Sequence, residues 1–343
     1  MKLSIIIAAY NYPERLFHTL KNLQDSARQY TDEYEVIIVD DGTVPPLESD
    51  PRFHAFQHIR WVTQENQGSA VAKTNGVLES TGEYVFLSDS DDLIDSTKLK
   101  KQIDGMESSS AEISYSQEKF AWLDEQLSVM RSSSISRHPV KLNALDLLIH
   151  EDLRSNNLVY RGDLIRKALE KAPLAPMPLY GPVGDYYILY MVALQKARTV
   201  CVDEFLNYWC QYKEGQVSLK RLQLVLSSHR FYYDLLNSSE VQKNQQFVAE
   251  FVVRVFRSYR KLPRGTHPKY LRFWEMLLKP YARLLKGEVG GPLFQVVAAA
   301  LGPLKAARVL RCLQVRTLQS MYHVDQKDFV VLANDYLPEA LLS

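Results

Sequence analysis

The sequence predicts an α/β protein: a mostly parallel sheet with helices on both faces, followed by an all-helical module. Three observations predict it. Short apolar runs alternate with helical patterns through about residue 110, two of the runs end in clusters of Asp, and strand patterns nearly vanish after about Leu219. Alternating strands and helices are typical of a parallel sheet buried on both sides. The 343 residues allow two or three domains.

The first elements form a βαβ unit. Leu3–Ala9 is a continuous apolar run that predicts a strand, Glu14–Tyr30 has leucines at helical spacing, and Glu35–Val39 predicts a second strand. The next predicted elements are strand Ile59–Val62, helix Ser69–Ser80 and strand Tyr84–Leu87. Ligands of such sheets bind beyond the carboxyl ends of the strands. We therefore expect one group of carboxylates at that edge, from Asp40, Asp41, Asp89, Asp91 and Asp92.

The rest of the chain divides into an irregular middle section and a helical end. In the middle section, Ser108–Ser110 and Ser132–Ser136 predict loops, Tyr186–Lys196 a helix and Thr199–Val202 a strand. Amphipathic patterns such as Phe247–Tyr259 and Tyr270–Leu285 follow. We place the domain boundary between 1–217 and 218–343.

The charges are unevenly distributed. The chain has 41 basic and 40 acidic residues, a formal net charge of +1, which excludes a protein that coats nucleic acid or membrane with its whole surface. Between Lys220 and Ser320, however, the sequence contains 18 basic residues and only five acidic residues. This module could contact an anionic membrane, form an ordinary bundle with a solvated basic face, or form a homo-oligomer. No nucleic-acid recognition motif is present.

Cysteine use and hydropathy indicate the compartment. Three cysteines without CxxC spacing are typical of a reducing environment. The apolar run at the start has seven residues and no cleavage pattern of a signal peptide, and Pro292–Leu304 is too short to span a bilayer. We expect a cytoplasmic protein, with any membrane contact peripheral, at the inner face of the cell membrane.

Three Asp residues within four positions, in Asp89–Asp92, follow an apolar strand. Like charges at that spacing repel each other, and a divalent cation with a preference for oxygen ligands relieves the repulsion. Mg²⁺ or Mn²⁺ fits this donor set. The alternative is a solvated acidic turn in which Asp92 or Asp95 caps the next helix.

Four motifs in order make the chain resemble the inverting family 2 glycosyltransferases, which have the GT-A (Rossmann-like) fold and use nucleotide-sugar donors. The resemblance covers about residues 1–212. Its motifs are SIIIAAYN (Ser4–Asn11), IIVDDGT (Ile37–Thr43), NQGSAVAKTNG (Asn66–Gly76) with GEYVFLSDSDD (Gly82–Asp92), and GDYYILYMV (Gly184–Val192).

The resemblance implies a nucleotide pocket in residues 1–110. The turn of Ala9, Tyr10 and Asn11 would line it, and Asp41 would hydrogen-bond the base, with uracil expected. The alternative for Asp41 is a carboxylate that holds a turn or caps a helix. Lys73 would contact phosphate or support the loop, and its alternative is a solvated helix lysine.

The resemblance also assigns roles to the acidic cluster. Asp89 would meet the ribose or the water shell of the metal, while Asp91 and Asp92 would hold Mn²⁺ or Mg²⁺ against the donor diphosphate. The implied enzyme is therefore metal dependent.

Asp185 matches the position of the family's catalytic base, within an acceptor and base region at 111–217. An N-cap of the following helix is a compatible reading. Two departures from the family pattern occur: Lys73-Thr74 stands where Arg-Asn is usual, and Gly184 stands where Glu is usual.

These observations predict a hexosyltransferase that moves a sugar from a nucleotide diphosphate, expected to be UDP, to a hydroxyl of a polysaccharide or lipid-linked glycan in cell-surface glycan biosynthesis. The rival interpretation is a catalytically silent nucleotide-binding scaffold that recruits partners through the basic helical module.

Overall fold

Over the residues that the structure describes, the first part of the chain is built on a nine-stranded mixed sheet. The computed structural model describes residues 2–124, 128–134, 137–149, 154–170, 183–212, 221–285 and 290–337. The chain divides into two compact units, Met1–Gln216 and Val217–Ser343. Each unit is described by itself below.

The elements of the first unit begin close to where the sequence predicts them. They are β1 (Leu3–Ala9), α1 (Pro13–Tyr30), β2 (Tyr34–Asp40), β3 (Ile59–Thr63), α2 (Ser69–Glu79), β4 (Tyr84–Asp89), β5 (Leu93–Ile94), α3 (Lys98–Ser109), β6 (Ile113–Leu123), β7 (Val129–Ser134), β8 (Val159–Arg161), α4 (Gly162–Glu170), α5 (Gly184–Ala193) and β9 (Thr199–Gln211). Two expectations change. Ser108 and Ser109 end helix α3 and Ser132–Ser134 belong to strand β7, so these serines do not lie in loops as predicted. The last strand, β9, is much longer than the predicted Thr199–Val202.

The first four strands are parallel, as the alternation of strands and helices predicts. β1 lies between β2 and β4, with Ala9 opposite Asp40 and Ala8 opposite Asp89. β3 pairs with the outer side of β2. This register brings the carboxyl ends of β1, β2 and β4 to one edge, which is where the sequence analysis expects a ligand.

Helices cover both faces of this parallel region. Ile5 and Ile7 face a core that includes leucines of α1 and Leu99 and Ile103 of α3. Ile6 points to the opposite face, where a Cβ added to Gly76 of α2 would meet its side chain at 2.4 Å. Gly76 therefore allows α2 to approach the sheet closely.

The remaining strands make the sheet mixed. β8 pairs antiparallel with β4 and β6, and β9 runs parallel to β6 along most of its length. The end of β9 then pairs antiparallel with β5, with Tyr208 opposite Leu93. Residues 207–212 are thereby placed beside the loop that follows β4.

The second unit is helical over the residues that the structure describes. Its helices are α6 (Arg221–Asn237), α7 (Ser239–Gln242), α8 (Gln245–Lys261), α9 (Pro268–Leu278), α10 (Pro292–Leu301), α11 (Pro303–Cys312), α12 (Leu318–Tyr322) and α13 (Gln326–Asn334). A 3₁₀ segment, Lys279–Leu285, continues α9, so the predicted helix Tyr270–Leu285 changes type at its end. In the described ranges of both units, no helix is long and apolar enough to cross a membrane.

Buried polar groups hold this unit together. Arg311 donates to the backbone carbonyls of Tyr259 and Leu262, and so provides hydrogen-bond donors for carbonyl groups at the C-terminal end of α8. His229 is buried against Trp274, and its Nδ1 lies 2.7 Å from the hydroxyl of Tyr270. Burial lowers the pKa of His229 to about 3.

The His229 environment predicts a pH-dependent stability. Since the native pKa lies below the ordinary value of 6.5, the unfolded chain binds a proton that the native state excludes between these two values. The free energy of unfolding should therefore fall as pH decreases from about 7 to about 5. His229→Asn, which keeps an acceptor for Tyr270, should show a smaller decrease than the wild type in urea titrations at both pH values. Equal decreases would contradict this role of His229.

Candidate active site

The turn after β1 is tied to the turn after β2. Asn11 and Tyr12 adopt left-handed backbone angles, with φ of 58° and 52°. The N–H of Asn11 donates to Thr43 Oγ1 at 2.9 Å, and the N–H of Asp41 donates to the carbonyl of Ala9 at 2.8 Å. Tyr10 projects from this turn with 49% of its surface exposed. The predicted pocket residues Ala9, Tyr10 and Asn11 thus form one connected turn at the sheet edge.

Asp40 and Asp41 are both buried and organise loops. Asp40 accepts from the N–H groups of Thr43 and Leu47. Asp41 accepts from the Gln64 side chain and from the N–H groups of Gln67 and Gly68, at 2.7 to 2.8 Å. The Asp41 carboxylate therefore holds the loop that precedes α2. This geometry favours the turn interpretation of Asp41, while its contact with a base stays a prediction.

Lys73 joins two predicted site residues that are far apart in sequence. Its Nζ donates to Asp89 Oδ1 at 2.7 Å and to both oxygens of Asp185, at 2.9 and 3.0 Å. The lysine side chain is fully buried, whereas each carboxylate is 30% exposed. Lys73 is thus no solvated helix lysine: it forms the inner wall under two carboxylates that face outward.

The charge on Lys73 is maintained by its partners. Burial acts to lower the pKa of the ammonium, but Asp185 and Asp89 outweigh burial and raise the pKa above its ordinary value. The group is therefore charged at neutral pH. The ammonium therefore serves as one counter-ion for both carboxylates.

Asp185 occupies the first turn of α5. The helix begins at Gly184, two residues before the predicted start, and its N-cap residue is Val183, so Asp185 does not occupy the cap position. A Cβ added to Gly184 would lie 2.2 Å from the Cβ of Ala70. The glycine that replaces the family's usual Glu therefore lets α5 meet the start of α2, and this contact delivers Asp185 to Lys73.

The two predicted metal ligands have different surroundings. Asp92 is buried, and its oxygens accept from the N–H of Cys210 at 2.8 Å and from the amide of Asn156. Asp91 is 25% exposed, and its nearest cation is Arg15 at 3.9 Å. Burial, followed by the charge of Asp89, raises the pKa of Asp91 to about 6. Asp91 is therefore the more accessible of the two, whereas the oxygens of Asp92 already accept hydrogen bonds from the protein. Metal binding by Asp91 and Asp92 stays a prediction.

The donor set fits a hard divalent cation that takes few protein ligands. Within the described ranges, no three His, Cys, Asp or Glu side chains converge on one cation position. Burial, followed by the charges of Asp91 and Asp89, also raises the pKa of Asp92. The ionised carboxylates of this loop would repel one another, and a cation would relieve that repulsion. Mg²⁺ commonly uses one or two carboxylates and takes its other ligands from substrate phosphates and water. Asp91 can serve in this way.

Three residues that the sequence analysis did not single out complete the site. Asn156 donates to both Asp89 and Asp92, and so fixes the acidic loop. The Arg15 guanidinium lies between the rings of Tyr12 and Tyr212, 4.1 and 4.0 Å from their centroids. The Tyr212 hydroxyl donates to the carbonyl of Asp91. The aromatic residues in Tyr208-Trp209-Cys210-Gln211-Tyr212 are a sequence signal that could have pointed to this strand end.

The site therefore brings Lys73, Asp89 and Asp185 into direct contact, with Asp91 and Asp92 beside them on the same loop. Tyr10, Asn11 and Asp41 lie on neighbouring turns of the same sheet edge. Lys213, a further candidate for phosphate contact, lies outside the described residues.

Solved structures with the same architecture are glycosyltransferases of the GT-A class. Staphylococcus aureus TarS 1-349 superimposes with a TM-score of 0.63 at 18% identity, over 91% of this chain and 90% of that chain. The complex of TarS 1-349 with UDP-GlcNAc superimposes with a TM-score of 0.59 at 16% identity, over 98% of this chain and 91% of that chain. The mannosyltransferase PcManGT of Pyrobaculum calidifontis, in complex with GDP-Man and Mn²⁺, superimposes with a TM-score of 0.51 at 14% identity. The match covers 97% of this chain and 86% of that chain. At these identities the likeness shows the GT-A fold.

The sequence adds a match to a family. Residues 4–150, less than half of the chain, match the domain Glycosyl transferase family 2. The domain carries Tyr10, Asp41, Lys73 and the acidic loop, while Asp185 lies beyond the matched residues.

Curated relatives are similar over about a third of the chain. A glycosyltransferase of Rickettsia bellii is 32% identical over 107 residues, 31% of this chain and 15% of that protein. The cholesterol galactosyltransferase of Borreliella burgdorferi is 33% identical over 101 residues, which are 29% of this chain and 27% of that protein. TuaG of Bacillus subtilis, a putative teichuronic acid biosynthesis glycosyltransferase, is 31% identical over 116 residues. These are 33% of this chain and 44% of that protein. The chain thus spans less than half the length of these relatives.

Removing the Lys73 charge should destabilise the first unit. Lys73→Met leaves Asp89 and Asp185 facing each other without a counter-ion, and breaking a buried pair in this way costs about 3 kcal/mol. The triple variant with Asp89→Asn and Asp185→Asn should recover part of that loss, since no carboxylate is then left unpaired. Urea unfolding without ligand measures both. A Lys73→Met protein as stable as wild type would contradict the buried-charge geometry.

Asp41→Asn tests the loop role of this carboxylate. The substitution weakens hydrogen bonds from two backbone N–H groups, so the ligand-free protein should lose about 1 to 3 kcal/mol of unfolding free energy. Glu48→Gln, at an exposed position on a neighbouring 3₁₀ turn, is the control and should change stability little. Unchanged stability of Asp41→Asn, with nucleotide binding lost, would leave base recognition as the sole role of Asp41.

Proposed function

We propose that the protein is an inverting hexosyltransferase that moves a sugar from a UDP-sugar donor to a hydroxyl of a polysaccharide or lipid-linked glycan. The observation that carries this proposal is the shared ammonium of Lys73. It joins Asp89, from the donor half of the predicted mechanism, to Asp185, from the acceptor half. Such a junction is what a single displacement between two substrates requires.

Asp185 would act as the general base. Inversion in one step requires a carboxylate that takes the proton of the acceptor hydroxyl on the face of the sugar opposite the leaving diphosphate. Lys73 supports this role because it holds the Asp185 carboxylate from the inner side and leaves its outward side accessible.

The turn after β1 would bind the nucleotide. Tyr10 offers a half-exposed ring for stacking on a base. The Asp41 carboxylate accepts three hydrogen bonds from the protein and has about four acceptor positions, which leaves one for an N–H of uracil. The TarS complexes with UDP and UDP-GlcNAc support the choice of UDP.

Mn²⁺ or Mg²⁺ would be held chiefly by Asp91, with Asp89 near its water shell. When bound, the cation neutralises charge on the departing diphosphate. The presence of Mn²⁺ in the PcManGT complex supports the use of a metal by this fold. The structure favours Asp92 as a residue that fixes the loop, through Asn156 and Cys210.

The acceptor is assigned by class. We place donor and metal binding in residues 1–110, acceptor binding and the base in 111–217, and further contacts in the helical module 218–343. TuaG supports a cell-surface polysaccharide as the acceptor. The excess of basic residues in the helical module supports an acceptor that carries phosphate or a lipid phosphate.

Asp185→Asn is the decisive variant. It keeps the shape and one acceptor oxygen toward Lys73 but removes the base, so the rate of acceptor-dependent UDP release should fall by about 10² to 10⁴. The dissociation constant for UDP, measured by calorimetry with Mn²⁺, should change little. The matched control is Asp163→Asn, because Gly162-Asp163 also opens a helix and Asp163 is exposed.

The donor is first chosen by thermal stabilisation with a panel of UDP-sugars, since a ligand at 100 times its dissociation constant adds about 2.7 kcal/mol. Undiminished turnover in Asp185→Asn would overturn the assignment of the base. Metal-dependent UDP binding without turnover of any donor would favour the silent scaffold instead.

A further inference from the structure

An apolar helix lies exposed on the second unit. The sequence of α10, PLFQVVAAAL, contains no charged residue, yet within it Phe294 alone is buried. Leu293 and Val296 are 66% and 69% exposed, and Leu301 at the helix end is also exposed. Their spacing of three and eight residues places them on one side of the helix. A stripe of this kind is unusual on a surface that contacts only water.

A groove continues the stripe from Leu301. It has a volume of about 480 Å³ between α9, the 3₁₀ segment after it and the start of α11. Its apolar lining includes Met276, Ala282 and Leu304. Four basic side chains, all exposed, also line it: Arg272, Lys279, Lys305 and Arg308. Glu275 is the single acidic residue in the lining, and it pairs with Arg308 at 3.3 Å.

The charge of this region identifies the occupant. Between Glu288 and Asp325 the sequence contains no acidic residue and four basic residues. Arg311 is buried, and the other three, Lys305, Arg308 and Arg316, are exposed. A second copy of the chain would set these cations against their own equivalents, because a twofold interface places the same patch on both sides. An anionic bilayer instead offers phosphates for the cations and acyl chains for the apolar stripe.

The dimensions restrict the mode of contact. The ten residues of α10 extend about 15 Å, half the thickness of a hydrocarbon core. Such a helix lies along the interface with its apolar side in the acyl region and basic side chains at the level of the phosphates.

We propose that α10, α11 and the adjoining groove form a membrane-docking surface for anionic phospholipids. Leu293, Val296 and Leu301 enter the acyl region, and the basic residues at the groove contact lipid phosphates. This inference does not depend on glycosyl transfer, so it can hold or fail separately from the proposed function.

Vesicle flotation of the full chain tests the surface. The protein should float with vesicles of phosphatidylcholine and phosphatidylglycerol but not with phosphatidylcholine alone, and added salt should reduce binding. Leu293→Glu with Val296→Glu should lower the partition coefficient at least about tenfold, and Lys305→Glu with Arg308→Glu should do the same.

The matched control carries Lys327→Glu and Val331→Glu on α13. Val331 is 66% exposed and Lys327 is also exposed, so this variant adds acidic charge to another surface of the same unit. It should retain most of the binding, as should Asp185→Asn. Thermal unfolding of every variant shows that it is folded.

Three results would overturn the proposal. They are equal flotation with neutral vesicles, equal binding by the Leu293 and Val296 variant, and a dimer in light scattering that this variant dissociates while no form floats. The third result would assign the surface to a second copy of the chain.

Discussion

The first unit depends on one buried ammonium. Lys73 projects from α2 into a position where Asp89, at the end of β4, and Asp185, at the start of α5, would otherwise repel each other. Burying a lysine is costly unless its charge is paired, and here two carboxylates pair it. The ion pairs of Lys73 tie α2, β4 and α5 to one another. The positions of Asp89 and Asp185 are therefore restrained by a contact within the core.

The parallel half of the sheet could be predicted because its signals are local. Leu3–Ala9 is apolar apart from Ser4, Tyr84–Leu87 is apolar throughout, and polar residues follow each run. β9 gave a weaker signal: Asp203 and Glu204 are exposed in mid-strand and the pairing with β6 shifts register, so alternation extends over only a few residues. Pairing with a distant strand stabilises such a segment, and a window of sequence does not contain that partner.

The candidate site divides in the same way. The acidic loop and Asp185 stand in motifs that can be recognised, and the structure places them together. The burial of Lys73 could not be foreseen, since lysine ordinarily remains at the surface. Asn156 belongs to no motif, and its role arises because a short 3₁₀ turn places it between Asp89 and Asp92. The loop contacts of Asp41 were foreseen as an alternative to base recognition and now have named partners.

The link between the acidic loop and the end of β9 has a consequence for biosynthesis. Cys210 and Tyr212 hold Asp92 and the Asp91 carbonyl across 118 and 121 positions of sequence. On the ribosome, the loop emerges long before these partners do, and contacts of such separation form late in folding. Under the proposed function, the cation and diphosphate site of a nascent chain is therefore not organised until translation has passed residue 212. Donor affinity would then be acquired late in folding, and incomplete chains would not sequester nucleotide sugar.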